Sequence, residues 1–173
     1  MSRSTHGANP VIIKTRLFGE LDLQEEEVVD IPGGLLGFEG STRFLIMDDE
    51  GIAPFRWLQS VDTPELAFAA INPLLFRHDY RIPVTRELLS LIGHEPEHDV
   101  LILAIAVLSR DPRHITANLA GPIVVNAQTM TGAQAILDTR RFDTRAPVYD
   151  DLMAAAKSEA PAARPKDVLL VPA

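Results

Sequence analysis

Short apolar, β-rich stretches recur along this chain, some of them alternating with polar residues, and Gly or Pro punctuates nearly every junction. Residues 11–18 set Ile13, Thr15 and Leu17 against Lys14 and Arg16, the two-residue period of a half-buried strand. Residues 20–24 continue the pattern, with Leu21 and Leu23 on one side. Further short strands are predicted at 43–47, 55–60, 66–71, 99–109, 115–118, 123–126 and 134–137. The uninterrupted apolar run 100–108 reads as a buried strand. One helix is predicted at 85–92: Thr85 caps it, Leu88, Leu89 and Ile92 share a face, and Gly93 supplies the stop. A second, Ala-rich helix is predicted at 148–157. Many short strands with few helices predict a mainly β fold, a small barrel-like or sandwich domain of short antiparallel strands with one or two short helices.

The boundaries follow from composition. Residues 1–10 are polar and contain Gly and Pro, as expected of a flexible arm. Residues 11–150 form a single β domain, and 151–173 an Ala/Pro-rich tail expected to be disordered. Within the domain, Thr116-Ala117-Asn118-Leu119-Ala120-Gly121-Pro122-Ile123-Val124-Val125-Asn126 reads as strand–turn–strand, joined at a Gly-Pro turn with side-chain amides at the strand ends.

Charge and cysteine content narrow the function. The 173 residues hold no cysteine, which excludes a disulfide scaffold, thiol catalysis and thiolate metal sites. The net charge is −8, from 24 acidic and 16 basic residues. Nucleic-acid affinity rests on neutralising phosphates, so so acidic a chain is a poor direct binder of DNA or RNA and suits a basic protein better. No stretch approaches the ~20 apolar residues of a membrane span, and the first residues lack a signal-peptide core. A cytoplasmic location is expected.

Candidate chemistry is sparse. His94-Glu95-Pro96-Glu97-His98 has the H-x-x-E-H spacing of inverted zinc proteases, in which both histidines must share a helical face. Pro96 would break that helix, so the segment reads as a polar turn. A metal-dependent hydrolase using His94, Glu97 and His98 is thereby a minor alternative. The glycines at 33, 34, 37 and 40 lack the spacing of a phosphate loop, and they read as a turn that folds Leu35, Leu36 and Phe38 onto the barrel. No Ser/His/Asp set announces itself.

The acidic residues Glu20, Asp22, Glu25, Glu26, Glu27 and Asp30 stand apart, because no basic residue falls between Leu17 and Thr42. The cluster reads either as a solvated loop or as a docking face for a basic protein. It lacks the spacing of a calcium loop. In the strand at 55–60, alternation puts Phe55, Trp57 and Gln59 on one face, with Trp57 in the core. Asn72-Pro73 reads as turn chemistry.

Several segments in order resemble the FliW family of flagellar assembly factors. They are Phe18-Gly19-Glu20, Gly34-Leu35-Leu36-Gly37-Phe38, Pro54-Phe55 with Trp57-Leu58-Gln59-Ser60, and Pro64-Glu65-Leu66-Ala67-Phe68. They continue with Asn72-Pro73, the Thr116–Asn126 run and Gly132-Ala133-Gln134. Leu36 departs from the pattern, since the family often has Pro there. The resemblance implies a compact, barrel-like, non-enzymatic protein without cofactor or metal. It implies binding to the RNA-binding translational regulator CsrA, relieving repression of flagellin mRNA, and competing binding to flagellin. A flagellin-only chaperone is the alternative. On this reading Glu20, Asp22, Glu25, Glu26 and Glu27 are expected to make the electrostatic contact with CsrA. Gln59, Asn72 and Asn118 are second-tier contacts that alternatively serve the fold.

Overall fold

The structure is a computed structural model that describes residues 10–158 together with 171–172. In chain order its elements are β1 (Val11–Thr15), β2 (Gly19–Leu23), β3 (Val28–Asp30), β4 (Arg43–Asp48), β5 (Arg56–Ser60), β6 (Ala67–Ile71), β7 (Pro83–Val84), α1 (Arg86–Leu91) and β8 (Val100–Val107). There follow β9 (Thr116–Ala117), β10 (Ile123–Asn126), β11 (Thr131–Gln134), β12 (Ala146–Pro147), α2 (Tyr149–Lys157) and β13 (Val171–Pro172). Single 3-10 turns lie at Glu25–Glu27, Pro73–Leu75 and Pro112–His114.

The strands close on themselves. The order β10-β11-β3-β4-β5-β6-β8 is completed by a further pairing of β8 with β10, which makes a seven-stranded barrel. Neighbours are antiparallel except β11 and β3, whose parallel contact is the single pair Thr131 with Asp30. Closure removes the free sheet edges that would otherwise invite pairing with another chain.

The apolar run of β8 has a simple physical reason. Leu101, Leu103 and Ile105 belong to the barrel interior with Val29, Phe44, Leu58, Ala70 and Ile123. Their alternates Val100, Ile102, Ala104 and Ala106 pack outward under a second layer that includes Phe76, Tyr80, Ile82, Leu88 and Ile92. A strand covered on both faces loses its polar alternation. A third, smaller cluster lies beneath the β1–β2 hairpin, where Ile13 and Leu23 cover Val28, Leu45 and Val61.

The run 116–126 is strand–turn–strand, as expected, but not a hairpin. β9 and β10 do not pair with each other; both lie antiparallel to β8, one after the other along the same edge. Between them the chain makes an excursion over residues 118–122, opposite only residues 104 and 105 of β8. The Gly-Pro turn is therefore an outward loop in one interrupted strand. It is tied down by Tyr80 Oη, which donates to Leu119 O at 2.8 Å, and by Leu137 N, which donates to Ala120 O at 2.8 Å.

The strand expected at 134–137 lies earlier, at β11, and Gly132 within it explains the shift. A Cβ there would sit 3.1 Å from Val125 Cγ2 and 3.2 Å from Val124 O, so close packing demands a residue of low strand propensity. Trp57 is half-buried rather than central; its Nε1 donates to Asp49 Oδ2 at 3.0 Å, and Leu58 takes the interior position. Helix α1 has the expected Thr85 cap, whose Oγ1 accepts from Leu88 N at 3.1 Å, and Gly93 follows at φ +58°. The domain boundary expected at 150 falls inside α2, which runs to Lys157 and packs Leu152 against the outer layer. The arm at 1–9 and the tail at 159–170 lie outside the described residues. The terminal Val171–Pro172 pairs in parallel with Pro83–Val84.

Candidate partner-binding surface

The acidic residues converge on one side of the barrel. The β1–β2 hairpin pairs Ile12 with Asp22 and Lys14 with Glu20, and these four side chains form its exposed outer face. Glu25, Glu26 and Glu27 follow at once in an exposed 3-10 turn, closed by Gln24 N donating to Glu27 Oε2 at 3.0 Å. None of the five carboxylates forms an ion pair among the described residues. The register does supply one basic neighbour that the linear sequence hides, since Lys14 stands directly across from Glu20. Opposed residues in such a pair lie about 5 Å apart, so Lys14 partly compensates Glu20.

The hairpin is held from below. Thr15 Oγ1 donates to Gly19 O at 2.9 Å and accepts from Phe18 N at 3.0 Å, which fixes the turn. Arg16 N donates to Pro64 O across the β5–β6 connection. The same carbonyl accepts from Gln59 Nε2 at 3.0 Å, and that amide also reaches Ser60 O and Leu66 O at 2.9 and 3.1 Å. Gln59 is 1% exposed. It cannot be a surface contact; it braces the loop on which the acidic hairpin rests.

The two asparagines lie elsewhere, next to the outer layer that contains Ile71 and Leu119. Asn72 Oδ1 accepts from Leu74 N at 3.0 Å and caps the Pro73–Leu75 turn. Asn118 Oδ1 accepts from Ala120 N at 3.0 Å inside the excursion between β9 and β10. Both are half-buried and both carry out local turn chemistry. Neither adjoins the hairpin.

The His94–His98 segment is a turn after α1, with no helix to align its two histidines. His98 Nδ1 lies 2.9 Å from Asn126 Nδ2 and accepts from Glu95 N at 3.3 Å. Among the described residues no group of three or more potential ligands is placed to hold a metal ion. No helix among them is long and apolar enough to cross a membrane.

A second surface feature is not visible as a pattern in the sequence. The glycine-rich loop buries Leu35 but turns Leu36 outward, 72% exposed, against the expectation that Leu36 folds onto the barrel. Gly34 is at φ +64°, and a Cβ there would lie 2.7 Å from Glu39 Cα, so the loop requires glycine. Leu36 N donates to Gln134 Oε1 at 2.8 Å, and Gln134 Nε2 donates to Gly121 O at 3.0 Å. Leu36 then borders a groove of about 270 Å³ together with Leu91 of α1, Ile136 and Glu39. The Gly37 N–H donates to Glu39 Oε1 at 3.0 Å and, with the residue's own backbone N–H, holds that carboxyl below its ordinary range.

Comparison with known proteins agrees with this architecture. The profile of the FliW protein family matches residues 12–148. The flagellar assembly factor FliW of Geobacter sulfurreducens is 36% identical over 152 residues, which cover 88% of this chain and 93% of that protein. Its counterpart in Caldanaerobacter subterraneus subsp. tengcongensis is 37% identical over 141 residues, covering 81% and 94%. That of Treponema denticola is 35% identical over 146 residues, covering 84% and 99%. A crystal structure of the flagellar assembly factor FliW superposes with a TM-score of 0.74 at 30% identity, over 80% of this chain and 97% of that one. With a family match over most of its length and the same barrel in a solved relative, the chain belongs to the FliW family of flagellar assembly factors.

Proposed function

We propose that this protein regulates flagellar assembly in the cytoplasm by binding two partners in competition, the translational regulator CsrA and flagellin. CsrA held by this protein no longer represses flagellin mRNA. Flagellin that accumulates captures the protein, frees CsrA and stops further synthesis. The protein takes part by binding rather than by catalysis, and it makes no direct contact with nucleic acid.

The observation that carries this reading is the exposed hairpin face and the 3-10 turn after it, with five carboxylates between them, none ion-paired among the described residues. An RNA-binding protein must present basic surface to neutralise phosphates. A carboxylate face of this kind attracts such a protein and repels RNA itself. Charges at an exposed face act mainly on encounter rate and partner choice.

Replacing Glu20, Asp22, Glu25, Glu26 and Glu27 together by lysine is expected to slow association with CsrA by about tenfold or more at low salt. The remaining rate should also depend less on ionic strength, because steering by exposed charges is screened over about 10 Å at 0.1 M salt. Stopped-flow association at two salt concentrations reads both effects. Unchanged rates in the fivefold variant would remove the hairpin from the CsrA contact.

A further inference from the structure

The groove beside the glycine-rich loop brings together three large aliphatic side chains that the fold leaves in solvent. Leu36 is 72% exposed, Ile136 67% and Leu91 60%, and all three border the same opening. Scattered exposed apolar residues are ordinary on a protein surface, but their convergence on one concavity marks an interaction site. The exposure of Leu36 is built in. Gly34 forces the loop geometry, while the Gln134 amide bonds the Leu36 N–H on one side and Gly121 O on the other. A side chain held out by a braced loop costs little further ordering when it is covered.

Charge says what can cover it. The polar rim includes Glu39, a carboxylate bonded by the Gly37 N–H. The acidic turn lies close to the groove along the chain: Glu25–Glu27 leads into the three residues of β3, and β3 leads into Ile31 and Pro32 of the groove wall. Three strand residues span roughly 10 Å. A standard interface of about 800 Å² per partner covers both features.

The geometry points to the groove as an anchor pocket for the basic protein that docks on the acidic hairpin, receiving one apolar side chain flanked by Lys or Arg. This rests on the function proposed above, with CsrA as that partner. Hairpin carboxylates set the rate of encounter, and the groove sets how long the complex lasts. Buried apolar anchors dominate dissociation, whereas rim charges act on association.

The test is surface-plasmon measurement of purified CsrA binding to the full chain and to Leu36→Asp, Ile136→Asp, Leu36→Met and Met153→Asp. Met153 is exposed on α2, away from the groove, and serves as the control. Leu36→Asp and Ile136→Asp are each expected to weaken binding at least tenfold, mainly through faster dissociation. Leu36→Met and Met153→Asp should stay within twofold of the parent. Thermal melting confirms that each variant is folded, and Leu36→Ala with Ile136→Ala replaces any aspartate variant that is not. Dissociation unchanged in the groove variants, with CsrA still bound by the parent, overturns the anchor pocket and leaves the proposed function standing. No CsrA binding by the parent chain overturns both.

Discussion

Replacing Phe44 by alanine is expected to cost about 3–5 kcal/mol of stability, the range for truncating a buried aromatic ring. Phe44 is fully buried near the start of β4, in the interior cluster with Val29, Leu58, Ala70 and Leu103. A closed barrel has little freedom to collapse around a lost ring, because each wall strand is tied to a neighbour on either side. The cavity should therefore persist rather than fill. For a domain of this size the loss corresponds to a melting temperature lower by about 10 °C. Denaturant unfolding should show an earlier midpoint with an unchanged slope. A loss under about 1 kcal/mol would contradict the packing of the interior described here.

Asn126→Ala is the second large effect, and its cause is polar. Asn126 is fully buried at the end of β10. Its Nδ2 donates to Ile92 O and Gly93 O, both at 3.0 Å, at the end of α1, while its Oδ1 accepts from Gln128 N and Thr129 N at 3.0 and 3.3 Å. One side chain thus fastens the end of α1 to the turn between β10 and β11. Removing it strands several polar groups at once, at about 1–3 kcal/mol for each that water does not reach. A total of about 2–4 kcal/mol is expected, together with faster amide exchange at Gln128 and Thr129. Equal exchange in parent and variant would show that these bonds do not hold the turn.

These two residues mark what the sequence can and cannot disclose. Short apolar, β-rich stretches bounded by Gly, Pro and polar turns locate β4, β5, β6 and β10 to within a residue at each end, because strand propensity and turn punctuation are local signals. The cap and stop of α1 were equally legible in Thr85 and Gly93. Ring closure was not, since the pairing of β8 with both β6 and β10 is a long-range register. The same limit hides that the two strands of residues 116–126 share β8 as partner instead of pairing with each other. Five exposed carboxylates could be read directly from composition, whereas Lys14 opposite Glu20 could not, because it depends on hairpin register. Gln59 and Asn126 illustrate the remaining difficulty. An amide at a strand end looks the same in sequence whether it meets a partner or braces a loop, and only burial separates the two roles. The exposure of Leu36 likewise follows from Gly34 and from Gln134, which lies 98 residues away.

The proposed regulation requires that one protein surface be contested by two partners. The most direct measurement is a calorimetric titration of CsrA with the full chain, repeated in the presence of excess flagellin. Saturable binding that weakens as salt is raised, and that disappears when flagellin is present, is the predicted result. Absence of CsrA binding, or binding that flagellin leaves unchanged, would contradict it.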